Sequence, residues 1–160
     1  MAIREIITQD NEILRQIAKE VDLSDTTKKE EIAILIEDMI ETVKASNGVG
    51  LAAPQVGISE RVIVIKDITL ANKVVFYEMI NPVITWLSFD REYSDEGCLS
   101  VVDKYNNPIH GKLWRHKRIN VEWLDKDGKK HDCRFTNPLQ SRIIQHEIDH
   151  LQGRLFIDYK

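Results

Sequence analysis

The segment from Asn137 to Gly153 constrains this chain more than any other stretch. Asparagine can cap the free N–H groups that open a helix, and proline in the next position loses nothing by lacking a donor. Gly153 supplies the stop. Within the helix so bounded, Leu139 and Ile143 share a face with His146 and His150, while Ile144, Ile148 and Leu151 occupy another. Apolar surface therefore covers much of its circumference, and such a helix belongs in a core with other elements wrapped around it. Yet residues 146 to 150 read His-Glu-Ile-Asp-His. Burying those polar groups without partners would cost several kcal/mol.

A metal ion resolves the conflict. Residues four apart on a helix point to the same side, so His146 and His150 can present two imidazole nitrogens to one ion. Glu147 can then reach a water on that ion, whose pKa falls from about 16 to about 7, and accept its proton as it attacks a carbonyl. The bland alternative is that these residues only decorate a polar helix face, and the apolar setting argues against it. A catalytic site of this kind usually takes three protein ligands. Only ten residues follow His150, with Asp158 the sole carboxylate among them, so the third ligand is sought upstream. Cys98, in the run Glu96 to Ser100, is a candidate: Gly97 permits close backbone approach, and Glu96 could orient a neighbour. A buried structural thiol is the competing explanation for it.

A third element is the stretch GVGLAAPQVG at residues 48 to 57. Gly48 can be explained as the end of a preceding helix. Gly50, followed by Leu51, Ala52 and Ala53, leaves little side-chain bulk and suits a place where a substrate backbone runs beside the protein. Gln55 then offers an uncharged amide donor to a developing oxyanion.

Around these motifs the pattern predicts one α+β domain over residues 1 to 160, with antiparallel or mixed curled sheets packed around the buried C-terminal helix. Ile32, Leu35, Ile36, Met39, Ile40 and Val43 mark an earlier helix over roughly 26 to 46, capped by Ser24 or Asp25 and ended by a left-handed Asn47-Gly48. Strands are expected at 61–65, 74–80, 83–87, 117–124 and 129–135, with DKDG at 125–128 as a hairpin turn, and a last strand at 155–157. The longest apolar run, Ile32 to Ile36, is five residues, and the N-terminus lacks an export pattern, so the expectation is a cytoplasmic protein without a membrane span. A net charge of −4 excludes general attraction to nucleic acid, and Lys112, Arg115, Lys117 and Arg118 read as a solvated strand edge. Two cysteines make no disulfide scaffold, and Cys133 reads as a half-buried strand residue. His110, His116 and His131 lack ligand spacing and read as solvated.

The motifs G-x-G-x-A-A-x-Q, E-G-C-x-S and Q-H-E-x-D-H occur in order as Gly48–Gln55, Glu96–Ser100 and Gln145–His150, and in them the chain resembles the peptide deformylases. The resemblance runs from NEILRQIAKEV near the N-terminus to LQGRLFID. It implies a deformylase-like fold and removal of the formyl group from the N-terminal methionine of new polypeptides. It also implies that Cys98, His146 and His150 bind the metal and that Glu147 is the general base. Gln55 and the Leu99 N–H would stabilise the oxyanion. Substrate would meet Gly48, Val49, Gly50, Glu96 and Gly97, with Leu139, Ile143 and His146 around the methionine side chain. The metal implied is ferrous iron, with zinc, nickel or cobalt able to replace it. The partners implied are formyl-Met nascent peptides, acted on by a monomer.

The chain departs from the family pattern beyond Ser100. Val102 stands in place of the usual proline, Tyr105 where an arginine is usual, and the stretch from Asp103 to His116 is longer than in typical bacterial members. A C-terminal helix used by some relatives to dock on the ribosome does not follow, so ribosome docking is not carried over. The altered rim supports one alternative, a hydrolase on the same scaffold for another small N-acyl group; a second, a metal- or peptide-binding derivative without catalysis, is disfavoured by the presence of Glu147 and Gln55.

Overall fold

The computed structural model describes residues 1–159. Its elements are helix α1 (Thr26–Ala45), strands β1 (Gly50–Ala52), β2 (Val62–Lys66), β3 (Phe76–Leu87), β4 (Arg91–Val102), β5 (Pro108–His116), β6 (Ile119–Leu124) and β7 (Lys130–Phe135), and helix α2 (Pro138–Leu151). Short 3-10 turns lie at Glu12–Arg15, Ala53–Val56 and Phe156–Asp158. The architecture is α+β. Antiparallel strands in the order β1-β2-β3-β6-β7 form one sheet, and β4 and β5 form a separate hairpin.

The main sheet is covered on both faces at its β1–β2 end. Val62, Ile63, Val64 and Ile65 are all fully buried, because alternate residues of β2 face opposite helices. Val62, Val64, Leu51 and Ile80 pack with Ile32, Leu35, Ile36, Met39 and Val43 of α1. Ile63, Ile65, Met79, Ile119 and Val121 pack with Ile143, Ile144, Ile148 and Leu151 of α2. A third cluster, Cys98, Val101, Leu113, Leu155 and Phe156, fills the space under the β4–β5 hairpin.

Helix boundaries follow the capping chemistry. Asp25 accepts from the Lys28 N–H to open α1, and Asn137 accepts from Leu139 and Gln140 to open α2. At the end of α1 the left-handed residue is Asn47, with φ of 53°, while Gly48 keeps an ordinary backbone. Gly48 is small for another reason: a Cβ there would sit 3.1 Å from Leu99 Cδ1.

Four expectations are corrected. The runs at 74–80 and 83–87 are one strand, β3, carried through Asn81-Pro82 by a register break and a left-handed Asn81. The amide of Asn81 exchanges two 2.9 Å hydrogen bonds with the backbone of Val21, which holds the kink. Residues 103–116, where no strand was expected, are a tight turn followed by β5. Residues 155–157 form no strand: Asp158 accepts from the Leu155 N–H at 3.0 Å, closing a 3-10 turn instead. Arg115, expected in solvent, is 5% exposed.

Gly153 ends α2 with φ of +72°, and a Cβ there would come within 2.5 Å of the Arg15 carbonyl oxygen. Left-handed strain alone costs about 1–3 kcal/mol for a residue with a side chain. Gly153→Ala is therefore expected to lower the unfolding free energy by at least that amount, read as a lower urea midpoint, while leaving the far-UV circular dichroism spectrum unchanged. A midpoint equal to that of the unmodified protein would contradict the prediction.

Candidate metal and active site

Helix α2 and strand β4 meet at the three predicted metal ligands. One ligand atom each from Cys98, His146 and His150 lies within 4.8 Å of the other two, and all three residues are buried. Cys98 Sγ is 3.3 Å from His150 Nε2, and the two imidazoles meet edge to face at 5.1 Å between centroids. His146 Nδ1 donates to Glu96 Oε1 at 2.7 Å, since a carboxylate can only accept. That bond fixes the tautomer and leaves Nε2 for the centre. A thiolate and two imidazoles are a donor set suited to iron, zinc, nickel or cobalt. Beside them Glu147 Oε2 and His150 Nδ1 are buried without a hydrogen-bond partner among the described residues, so the protein alone does not satisfy the site.

Glu96 holds this arrangement together. Its Oε2 accepts from Arg115 Nε at 2.8 Å and from Arg142 Nη1 at 2.7 Å, and Oε1 accepts from Arg115 Nη2 at 3.0 Å as well as from His146. Arg115 Nη1 also binds Asp149 Oδ2 at 2.6 Å. Arg142 continues to the carbonyls of Glu92 and Leu113. Burial by itself pushes the Glu96 carboxyl upward, but hydrogen bonds from His146 and Arg115 and the guanidinium charge hold it at about 2. Burial drives the His150 imidazole well below its ordinary range, and the neighbouring His146 adds to that.

The expected catalytic carboxylate lies on the same helix. Burial pushes Glu147 up to about 7, near the value at which a carboxyl can both take and return a proton in neutral solution. Gly50 on β1 packs directly against it: a Cβ there would be 3.1 Å from Glu147 Cγ and Oε1. Gln55, in the 3-10 turn after β1, accepts the Ala52 N–H at 2.9 Å with Oε1. Its Nε2 therefore points to the centre, 3.1 Å from Ser100 Oγ and 3.7 Å from Cys98 Sγ.

A cavity of about 580 Å³ opens from these groups. Gly48, Val49, Gly50, Gly97, Leu99, Leu139, Ile143 and His146, all expected around substrate, line it. Val49 and Leu139 are exposed at its mouth. Glu96 also lines it, with its carboxylate engaged as described. His116 and His131 are not free in solvent as expected: His116 Nδ1 is 2.6 Å from the Ser88 carbonyl oxygen, and His131 stacks on Trp123 and pairs with Asp125. Neither approaches the metal ligands. Arg115, Arg142 and Asp149 were not singled out from sequence as site residues. The alternation Leu113, Arg115 on β5 was the available signal, since it places the arginine on the same face as a buried leucine.

A buried cysteine and the HExxH histidine pair facing a cleft are the site of a metal hydrolase on an α+β scaffold. The family described as polypeptide deformylase matches residues 3–160. A peptide deformylase of Bartonella tribocorum is 39% identical over 99% of this chain and 85% of its own length, and one from Fusobacterium nucleatum is 40% identical over 92% and 78%. Among solved structures, a probable peptide deformylase from synechococcus phage S-SSM7 superposes with a TM-score of 0.86 at 43% identity, covering 98% of this chain and 99% of that one. An actinonin-bound class I type b peptide deformylase from Acinetobacter baumannii gives 0.83 at 32% identity, over 99% of each chain. The chain belongs to the polypeptide deformylase family. It is a metal-dependent enzyme that removes the N-formyl group from new polypeptides.

Replacing Glu96 by glutamine leaves Arg142 without its buried counter-charge and Arg115 with Asp149 alone, and removing one partner of a buried pair costs about 3–5 kcal/mol. Because folding lowers this carboxyl from 4.5 to about 2, its contribution is full above the higher value and is lost as the pH falls through the lower. Acid unfolding followed by tryptophan fluorescence should thus show a loss of stability between those values in the unmodified protein. In Glu96→Gln that component should be absent, and the protein less stable at neutral pH. An identical acid profile for the two would contradict the assignment.

Proposed function

We propose that Cys98, His146 and His150 hold ferrous iron and that Glu147 is the general base of formyl-peptide hydrolysis. The observation that carries this reading is the meeting of three buried ligand atoms within 4.8 Å beside a carboxylate oxygen that has no hydrogen-bond partner among the described residues. Iron in this site supplies Lewis-acid charge and makes a water acidic enough to be deprotonated near neutrality. Zinc, nickel or cobalt suits the same donors.

The remaining steps belong to the protein. Glu147 takes the proton of the attacking water, and the formyl carbonyl oxygen gains negative charge as the new C–O bond forms. Gln55 Nε2 and the Leu99 N–H stabilise that charge. Glu147 then returns the proton to the leaving amine as the C–N bond breaks, releasing formate and a free N-terminus. Leu139, Ile143 and His146 surround the methionine side chain, and Gly48, Val49, Gly50 and Gly97 run beside the substrate backbone. The formyl carbon carries only hydrogen, so the close approach of Gly50 to Glu147 admits it more readily than a bulkier acyl group. The working unit is taken as one domain, monomeric and cytoplasmic, acting on formyl-Met nascent peptides. No ribosome-docking surface is assigned. No helix among the described residues is long and apolar enough to cross a membrane.

The test is formate release from a formyl-Met tripeptide by protein purified without oxygen and loaded with ferrous iron. Glu147→Ala should lower kcat by about 10²–10⁴ while metal content stays unchanged. Absence of turnover by the folded, iron-loaded protein would overturn the reading. Metal identity has its own readout. The iron form should lose activity in air with oxidation of Cys98, and the nickel form should not. Equal air sensitivity of both forms would count against iron as the vulnerable component.

A further inference from the structure

Strand β4 does not pair with β5 along its whole length. Gly97 stands opposite His110 and Val102 opposite Pro108, so four residues of β4, Cys98 to Val101, face a single residue of β5, Ile109. Such a bulge leaves backbone groups without ladder partners, and beside a site it re-aims the groups it carries. This one carries Cys98 and the Leu99 N–H, one of the two donors proposed for the oxyanion.

The N-terminal segment supplies the missing hold. The Gln9 N–H donates to the Ser100 carbonyl at 2.8 Å. The Gln9 side chain closes on Val102: Nε2 donates to its carbonyl, and Oε1 accepts its N–H at 3.1 Å. That pair of bonds requires a residue other than proline at 102, since proline has no N–H to give. Two residues before Gln9, the Ile7 N–H donates to the Gln55 carbonyl at 2.8 Å, and Gln55 Nε2 in turn reaches Ser100 Oγ at 3.1 Å. Residues 7 to 9 thus tie the turn that carries Gln55 to the bulge that carries Leu99. Gln9 itself is half-buried and does not line the cavity, so it acts on the site through the backbone it holds.

We propose that Gln9 is a positioning residue for the reaction: through its two side-chain bonds to Val102 it fixes the bulge so that the Leu99 N–H converges with Gln55 Nε2 on the developing oxyanion. The proposal rests on the deformylase reading of the site. The charge that Gln9 helps to stabilise exists only in the transition state, so its loss lowers kcat and leaves KM nearly unchanged. A donor moved aside but not removed costs roughly 10-fold in kcat, less than the roughly 10²–10³-fold that follows outright removal.

The experiment follows Gln9→Ala and Gln9→Asn, the second keeping the amide on a side chain one methylene shorter. Formate release from a formyl-Met tripeptide is measured on iron-loaded protein, with active sites counted by titration with a tight-binding hydroxamate. Partial misfolding of a variant then cannot imitate a fall in kcat. Hydrogen–deuterium exchange of the backbone amides at 99–102 is read on the same preparations without substrate. Both variants are expected to exchange these amides about 10-fold faster. Both should lose about 10-fold in kcat per site, with KM within about 2-fold of that of the unmodified protein. Unchanged kcat per site overturns the proposal, as does a rise in KM at constant kcat, or a fall in kcat with exchange at 99–102 unaltered. Turnover of no formyl peptide by the unmodified protein overturns the deformylase reading and the proposal with it, and faster exchange in the variants then shows that the tie to Val102 itself holds.

Discussion

A single carboxylate, Glu96, joins the parts of this molecule that chemistry requires to be together. It stands on β4, accepts from Arg115 across the hairpin on β5, and reaches Arg142 and His146 on α2. Two arginines and two acids, Glu96 and Asp149, balance one another in a region where an unpaired charge would be costly. The hairpin contributes few large apolar side chains to hold it against α2, so this network takes the place of a hydrophobic seam. It also orients the His146 imidazole in the Cys98–His146–His150 cluster. Fold and site therefore depend on the same bonds.

The main sheet supplies the rigid counterpart. β2 is buried on both faces between the two helices, and β1 at the edge of that sheet brings Gly50 against Glu147. Small residues at 50, 52 and 53 let the sheet edge approach α2, and the 3-10 turn that follows aims Gln55 at Cys98 and Ser100. The groups proposed for catalysis and metal binding thus sit on strands, a helix and a tight turn, whose packing limits their movement. The exposed groups are those at the mouth, where the turn between β4 and β5 and the pair Asp95–His110 form the rim.

Much of this was legible in the chain. The helices were marked by the periodicity of Ile32 to Val43 and by the Asn137-Pro138 start, and the two histidines by their spacing on a buried helix. The turn at 125–128 announced itself through Asp and Gly. The β4–β5 hairpin did not, because its inward positions are Glu96, Cys98 and Ser100, which are buried among ion pairs and hydrogen bonds rather than apolar side chains. Alternation of hydrophobicity, the usual mark of a half-buried strand, is therefore weak there. Arg115 was misread for the same cause: a cationic residue beside other cations suggests solvent unless its partner, nineteen positions earlier, is known to lie opposite.

By itself the sequence determined the chemistry on offer: a helix that must be buried, two imidazoles on one side of it, a carboxylate between them, and small residues where a backbone must come close. Local spacing suffices for these because helical geometry repeats every few residues. The motif resemblance named Cys98 as a third ligand, but only the tertiary structure decided how the distant groups meet. Cys98 meets His150 across fifty-two positions, Glu96 meets His146 across fifty, and His110 covers Gly97 through strand register. Such meetings depend on how sheets and helices close on one another. That closure is set by burial and charge pairing summed over the whole chain, and no local pattern records it.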